Sequence, residues 1–273
     1  MADAISGTQP LVTGRSRLYA IIGDPIEQVK SPEILNPIMA AAGRAGILVP
    51  VRLAPERLAE GVRGLQAIGN LDGIIVTVPH KMRMLELVDE VLVTGRRVGA
   101  INAARRDPDG RWVGDNFDGK GFVAGLRRHG HDPEGKRTLL VGAGGAGSAV
   151  GFGLAEAGAT PLIVYDVDRA KAERLARGIA AAFPRAGATV GPADAAGCAL
   201  VVNATPLGMA PDDPLPIDPA GFAPGMAVAD VVILAHDTKL LAAARGRGCA
   251  VVGGRAMTEG QAQELARFLR MIE

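Results

Sequence analysis

A six-residue stretch, Gly142-Ala143-Gly144-Gly145-Ala146-Gly147, directly follows the apolar run Thr138-Leu139-Leu140-Val141 and constrains the fold more than any other feature. A short β-prone run ends in glycines at G-x-G-x-x-G spacing, and a helical pattern begins with Ser148-Ala149-Val150. Gly142 allows a tight turn, Gly144 lets the backbone approach a pyrophosphate, and Gly147 lets the helix pack closely on its strand. Gly145 and Ala146 complete the turn, and the free N–H groups of the helix start face the phosphates. Taken alone, such spacing also fits an ordinary strand–turn–helix. Here a second apolar run, Pro161-Leu162-Ile163-Val164-Tyr165, ends in Asp166. That acid lies roughly the ~20 residues downstream at which a ribose-binding carboxylate belongs. A dinucleotide site is therefore expected.

The chain has 273 residues, enough for one large domain or two modest ones. Its formal net charge of +1 provides no electrostatic case for nucleic acid or an anionic membrane surface. No apolar stretch approaches the ~18 residues needed to cross a bilayer. Met1-Ala2-Asp3-Ala4-Ile5 lacks the basic region and apolar core of a secretory signal. Cys198 and Cys249 are isolated and no C-x-x-C occurs, which fits buried thiols in a reducing compartment. His80, His129, His131 and His236 show no metal-ligand spacing. These features suggest a cytoplasmic protein without a metal, acting on a small molecule as a monomer or homodimer.

Residues 1 to about 16 read as a loose leader. Strands are expected at Leu18–Ile22, Val49–Leu53 and Gly73–Val78, with helices after Ser31-Pro32, from Pro55 to Ile68 and from Lys81 to Val93. Ser31 is a plausible N-cap. Ala100–Ala103 and Trp112–Gly114 read as short strands joined by the turn signal Asp107-Pro108-Asp109-Gly110. An amphipathic helix over Asp118–His129 leads to the glycine fingerprint. Strands at 138–141, 161–165, 199–203, 227–232 and 249–252 then alternate with helices, and Thr258–Ile272 is a last helix. Such alternation implies a parallel sheet with helices on both faces, so two α/β domains with a ligand cleft between them are expected.

Several motifs in fixed order resemble the shikimate dehydrogenases and the related quinate dehydrogenases, from about Tyr19 to the C-terminus. They are Gly23-Asp24-Pro25-Ile26 with Lys30-Ser31-Pro32, Val76-Thr77-Val78-Pro79-His80-Lys81, and Gly99-Ala100-Ile101-Asn102. Asp115-Asn116-Phe117-Asp118-Gly119, the glycine fingerprint, Asn203-Ala204-Thr205-Pro206-Leu207-Gly208-Met209, and Met257 with Gln261 complete the series. The resemblance implies a catalytic domain over 17–104 completed by a C-terminal helix over 256–273. A Rossmann-type dinucleotide domain over 105–255 would lie between.

The resemblance also implies a function in the biosynthesis of aromatic amino acids. In the family it resembles, hydride passes between a nicotinamide and a ring carbon bearing a hydroxyl. Lys81 matches the family's catalytic lysine and Asp118 the acid beside it. A neighbouring carboxylate favours a charged lysine while burial in a cleft works against charge. Lys81 would handle the hydroxyl proton, with Asp118 positioning both lysine and substrate. Ser31, Thr77, Asn102 and Gln261 match substrate contacts, and Asn203, Thr205 and Met257 match cofactor contacts. Without the ordered motifs, Lys81 would read as a solvated lysine and Asp118 as a helix cap. Competing functions are a non-catalytic dinucleotide-binding regulator and a folate-type dehydrogenase of similar shape.

Departures from the family pattern gather at the substrate pocket. Val29 replaces the first hydroxyl of a Ser-x-Ser pair that holds the substrate carboxylate, and Ile233 stands where a tyrosine is usual. Ile75 replaces an asparagine and Phe117 a threonine. Each lost donor to a buried carboxylate costs about 1–3 kcal/mol. Two would weaken binding by roughly thirty-fold to ten-thousand-fold, which puts shikimate itself in doubt as the preferred substrate. The NADP-using members carry Asn-Arg-Thr after the second strand of this domain, where this chain has Asp166-Val167-Asp168. A carboxylate there accepts ribose hydroxyls and repels a 2′-phosphate, so NAD is expected in preference to NADP, although Arg169 lies close by.

Overall fold

The computed structural model describes residues 12–234 and 236–273, so most of the expected leader lies outside the described residues. The first half builds β1 (Arg17–Gly23), α1 (Ser31–Ala41), β2 (Gly46–Arg52), α2 (Leu58–Gln66) and β3 (Leu71–Val76). It continues with β4 (Glu90–Val91), α3 (Val93–Val98), β5 (Ala103–Arg106) and β6 (Trp112–Asp115). These strands form one six-stranded sheet in the order β2-β1-β3-β5-β6-β4. The first three run parallel, and β5 enters antiparallel to both β3 and β6. Asp107 to Gly110 makes the expected hairpin turn, with Gly110 at φ +88° and its N–H donating to the Asp107 carbonyl at 2.9 Å. Because Arg105 pairs with Val113 across that turn, β6 belongs to the first sheet and the sheet runs past residue 104.

The single helix expected over Lys81–Val93 is replaced by a 3₁₀ turn at Arg83–Leu87, the short strand β4 and then α3. Leu85, Leu87, Val88 and Val91 all pack on the core under the first sheet. Leu85 and Leu87, two residues apart, would point to opposite sides of an α-helix. Burial of both on one side therefore decides against it.

The second half begins with α4 (Asp118–Arg128) and continues through β7 (Thr138–Val141), α5 (Gly145–Glu156), β8 (Leu162–Tyr165), α6 (Arg169–Ala182) and β9 (Thr189–Val190). Then come β10 (Leu200–Asn203), β11 (Ala227–Asp230), α7 (Lys239–Gly246), β12 (Ala250–Val252) and α8 (Arg255–Phe268). All six strands of this second sheet are parallel, in the order β12-β11-β10-β7-β8-β9. Counted from β7 the order is 6-5-4-1-2-3, the doubly wound arrangement that places a ligand crevice where the winding reverses. Here that point lies at the carboxyl ends of β7 and β10. The central strands β7, β10 and β11 are fully buried runs, as a sheet covered on both faces requires.

Helix α8 joins the halves. Its Ala256 and Met257 lie in the core of the second sheet, while Ala262, Leu265, Ala266 and Phe268 lie in the core of the first. Helix α4 packs on α8 and α5 through glycines. A Cβ added at Gly119 would stand 2.2 Å from the Ala149 carbonyl oxygen of α5, and one at Gly260 would stand 2.1 Å from the Gly121 carbonyl oxygen. Among the described residues no helix is long and apolar enough to cross a membrane.

Candidate active site

Between the sheets lies a small cavity lined by residues from both halves. Its polar side holds Lys81, Asn102, Asp118 and Gln261, contributed by four separate stretches of chain. Lys81 follows β3, and its carbonyl accepts the Ile101 N–H at 3.0 Å, which ties the loop after Pro79 to the segment leading into β5. Asp118 is the first residue of α4 and is almost fully buried. Lys81 Nζ donates to Asp118 Oδ2 at 2.5 Å. Asn102 Nδ2 donates to Asp118 Oδ1 and to Gln261 Oε1, both at 2.8 Å, while its Oδ1 accepts the Phe117 N–H at 2.9 Å. Gln261 Nε2 closes the ring on Asp118 Oδ1 at 3.5 Å. Charge-assisted bonds of this kind are the strong ones. The cluster presents one buried ammonium–carboxylate pair to anything bound in the cavity.

Ser31 and Thr77 line the same cavity, as does Met257, so all four expected substrate contacts and one expected cofactor contact converge there. Ser31 differs in one respect from the sequence reading. Lys30 is the N-cap of α1 and no side chain caps the helix; Ser31 is its first residue. Its hydroxyl is left to the cavity. Val29, Ile75 and Ile233 also line the cavity.

The glycine turn sits at the reversal of the second sheet. Gly142 has φ +105°, a conformation that side chains disfavour, and a Cβ at Gly147 would lie 2.0 Å from the Gly142 carbonyl oxygen. Helix α5 starts at Gly145, earlier than the pattern suggests, which places the N–H groups of Gly145, Ala146 and Gly147 in its first turn without intrahelical partners. A Cβ added at Gly144 would meet nothing within 4 Å, so the turn opens onto free space. A pyrophosphate fits that opening. Met82, next to Lys81 and largely exposed, faces the turn from the first half, with its Cγ 3.9 Å from where a Cβ of Gly145 would be.

Asn203 and Thr205 brace the loop after β10. Asn203 Oδ1 accepts the Thr205 N–H at 3.0 Å and its hydroxyl at 2.7 Å, and the Thr205 hydroxyl accepts the Leu207 N–H at 3.1 Å. Asn203 Nδ2 donates to Asp230 Oδ1 at 2.9 Å. Asp230, at the end of β11, also accepts the Val232 N–H at 3.0 Å and the Thr238 hydroxyl at 2.7 Å. Burial pushes its carboxyl above the usual range, against these bonds. It holds the Asn203 loop to the segment carrying Ile233. The sequence reading missed it; an acid closing the apolar run Ala227-Val228-Ala229 was the available signal.

Known proteins answer to the same pattern. The description "Shikimate dehydrogenase substrate binding domain" matches residues 21–104. A protein of Rhodospirillum rubrum named shikimate dehydrogenase (NADP(+)) is 39% identical over 257 residues, covering 90% of this chain and 89% of its own. One of the same name from Rubrobacter xylanophilus is 40% identical over 266 residues, covering 94% and 92%. A shikimate dehydrogenase solved in complex with NADP+ superposes with a TM-score of 0.88 at 27% identity, over 98% of this chain and 94% of that one.

These names overturn the expected preference for NAD over NADP. Asp166 carried that expectation, and in the structure its carboxylate bonds backbone. Both carboxylate oxygens are already engaged by backbone, with Oδ2 accepting the Ala143 N–H at 2.7 Å and Oδ1 the Asp168 N–H at 2.8 Å. Through Ala143, Asp166 braces the glycine turn. Arg169, beside it at the start of α6, is strongly exposed.

Proposed function

The chain belongs to the shikimate dehydrogenase family, and we propose that it oxidises a ring carbinol of a shikimate- or quinate-like polyol, reversibly, with NADP as its dinucleotide. The observation that carries this reading is the four-residue knot of Lys81, Asp118, Asn102 and Gln261 on one side of a cavity that Met257 also lines. Residues 17–115 with α8 would hold the substrate. The stretch between would hold the dinucleotide, with its pyrophosphate at Gly142–Gly147.

When bound, the nicotinamide supplies the hydride acceptor. The chain's own residues deal with the proton. In the oxidative direction the substrate hydroxyl loses its proton as its carbon gives up hydride, so a group at hydrogen-bond distance must take it. Lys81 Nζ in its neutral amine form is the proposed acceptor; the ammonium so formed is held by Asp118 and releases the proton to solvent. Asp118 fixes the ammonium through Oδ2 and is itself fixed through Oδ1 by Asn102 and Gln261. Ser31 and Thr77 supply hydroxyls that orient the ring. For the 2′-phosphate, Arg169 and Lys171 in the first turn of α6 are the nearby cations, and helix starts favour anions.

A pure binding protein has no need of a buried ammonium–carboxylate pair in its cleft, which disfavours the regulator reading. The test is absorbance at the NADPH band when purified protein meets NADP+ and a panel of ring polyols, shikimate and quinate included. Turnover that disappears in Lys81→Ala is the expected result. No turnover with any member, while NADP+ still binds, would discard the reading.

A further inference from the structure

A second concentration of charge lies at the end of the first sheet where β1, β2 and β3 begin. Arg17 opens β1, Arg44 precedes β2 and Asp72 is the second residue of β3, whereas Lys81 follows the far end of β3. Two cavities adjoin there. One, of about 280 Å³, is lined by Arg17, Asp72, Arg106, Asp107 and Arg270 among others. Its neighbour, of about 420 Å³, is lined by Arg15 and Arg44 and shares Arg17, Asp72 and Arg270 with the first. Neither shares a residue with the cavity of Lys81, Asn102 and Gln261.

The arginines outnumber the acids that neutralise them. Arg17 grips Asp72 through both Nε and Nη2, so that pair is closed. Asp107 is shared: its Oδ1 accepts from Arg105 Nε and from Arg270 Nη2, each at 2.8 Å. Arg105 first, then the charges of Arg270 and Arg111, hold that carboxyl below its ordinary range. Three arginines have no carboxylate partner among the described residues. Arg44 Nη2 donates to the Arg270 carbonyl at 3.2 Å. Arg106 donates to the Gln66 carbonyl, and its Nε is buried without a partner. Arg15 is exposed. Carbonyls satisfy donors but leave the charge uncancelled.

The backbone at Arg270 carries a second signal. Helix α8 closes with the Arg270 N–H on the Arg267 carbonyl at 2.9 Å and the Met271 N–H on the Ala266 carbonyl at 2.8 Å. That pattern puts Arg270 at the left-handed position where glycine is the usual residue. Its φ is +56°, and among the described residues no other side chain is held at positive φ. An arginine there costs backbone energy. An exposed pair such as Arg270–Asp107 returns little of it. What the residue supplies is a guanidinium lining both cavities.

We propose that these adjoining cavities form a binding site for a small anion carrying at least two carboxylate or phosphate groups. Planar guanidinium forks grip such oxygens in pairs. One anionic group meets Arg15 and Arg44 in the larger cavity, and the other meets Arg106 and Arg270 in the smaller. The site stands apart from the reacting cluster and does not depend on the function proposed for it.

The test is calorimetric titration of the full-length protein with pyrophosphate and, separately, with citrate, at fixed ionic strength. Three variants are compared: Arg270→Gly, Arg44→Ala, and Arg63→Ala, which removes an exposed charge from α2 outside both linings. At least one anion is expected to saturate, with affinity falling at least about tenfold in Arg270→Gly and in Arg44→Ala, as for a lost charge-assisted bond. Arg63→Ala should change it by less than about twofold, since screening weakens distant charges. Arg270→Gly should resist denaturant at least as well as the unmodified protein, because glycine suits the left-handed position. Saturation by pyrophosphate alone would mark the ligand as a phosphate compound, and by citrate alone as a carboxylate. Saturation by neither overturns the proposal. So does binding that both cavity variants leave intact, which would put the anion elsewhere, such as the glycine turn. Equal weakening by Arg63→Ala would reduce the effect to net charge and overturn it too. A lower denaturation midpoint for Arg270→Gly would assign that side chain to the fold and overturn its role here.

Discussion

The two ends of the cleft are built by opposite means. At the end where we propose the dinucleotide binds, the groups that matter are backbone atoms of one unbroken stretch, Gly142–Gly147, shaped by missing side chains. At the reacting end, the groups are side chains from four places, with Asn102 16 residues from Asp118 and 159 from Gln261. One end is set locally and depends on the absence of atoms. The other is set by the whole fold and depends on specific hydrogen bonds. Damage should therefore spread differently from each.

The sharpest contrast is expected from Asp118→Asn. It keeps the shape but removes the charge that fixes Lys81, and turnover should fall by about 10²–10⁴-fold with NADP+ affinity little changed. Steady-state kinetics beside a fluorescence titration of NADP+ decide it. A loss in affinity as large as the loss in turnover would mean that the ends are not separate.

Gly147→Ala attacks the other end. Its new methyl would meet the Gly142 carbonyl oxygen, so the turn must shift, and both stability and dinucleotide affinity should suffer. A stability loss of about 1–3 kcal/mol is expected from chemical denaturation, as for other overpacked sites. Full stability with unaltered NADP+ binding would contradict the tight strand–helix approach.

Asp166→Ala separates a brace from a discriminator. Two backbone N–H groups lose their acceptor, so NADP+ and NAD+ should both bind roughly five- to thirty-fold more weakly, in keeping with ~1–2 kcal/mol. The ratio between them should move by less than about threefold. A large swing toward NADP+ would return Asp166 to a role at the ribose.

The smallest effect concerns Asp230. Burial raises its carboxyl above the ordinary aspartate value of about 3.9, so over the window between the two values the folded chain holds a proton that the unfolded chain has released. Stability from this group is present below that window and is lost as pH rises through the raised value. Asp230→Asn removes the dependence, so thermal melts of the two proteins should diverge across the window, with the unmodified protein losing ground toward neutral pH. Parallel melting curves would show that the buried carboxylate is fully compensated by Asn203, Thr238 and Val232.

The same contrast explains what could be read from the chain before its structure. Five of the six strands of the second sheet were legible as apolar runs, and the glycine turn because its residues are contiguous; β9, two half-exposed residues at Thr189–Val190, has no apolar run and was not expected. Lys81 and Asp118 carried no signal of their own and were found through a resemblance of ordered motifs. Their binding partners were equally invisible one at a time, since side chains 143 residues apart meet only once both sheets exist. Asp166 failed for a related reason: its position predicts a ribose contact, but where its carboxylate turns depends on the Ala143 and Asp168 amides. The helix expected over Lys81–Val93 failed because its apolar residues serve one tertiary surface.

The glycine contacts of α4 have a mechanical meaning. Its backbone lies directly on α5, which opens with the phosphate turn, and on α8, which carries Gln261, with no compressible side chains at the crossings. On the proposed function, the seat of the hydride acceptor and the carboxylate that steers the proton are thus mounted on one chassis, and the spacing between them is set by backbone contact alone.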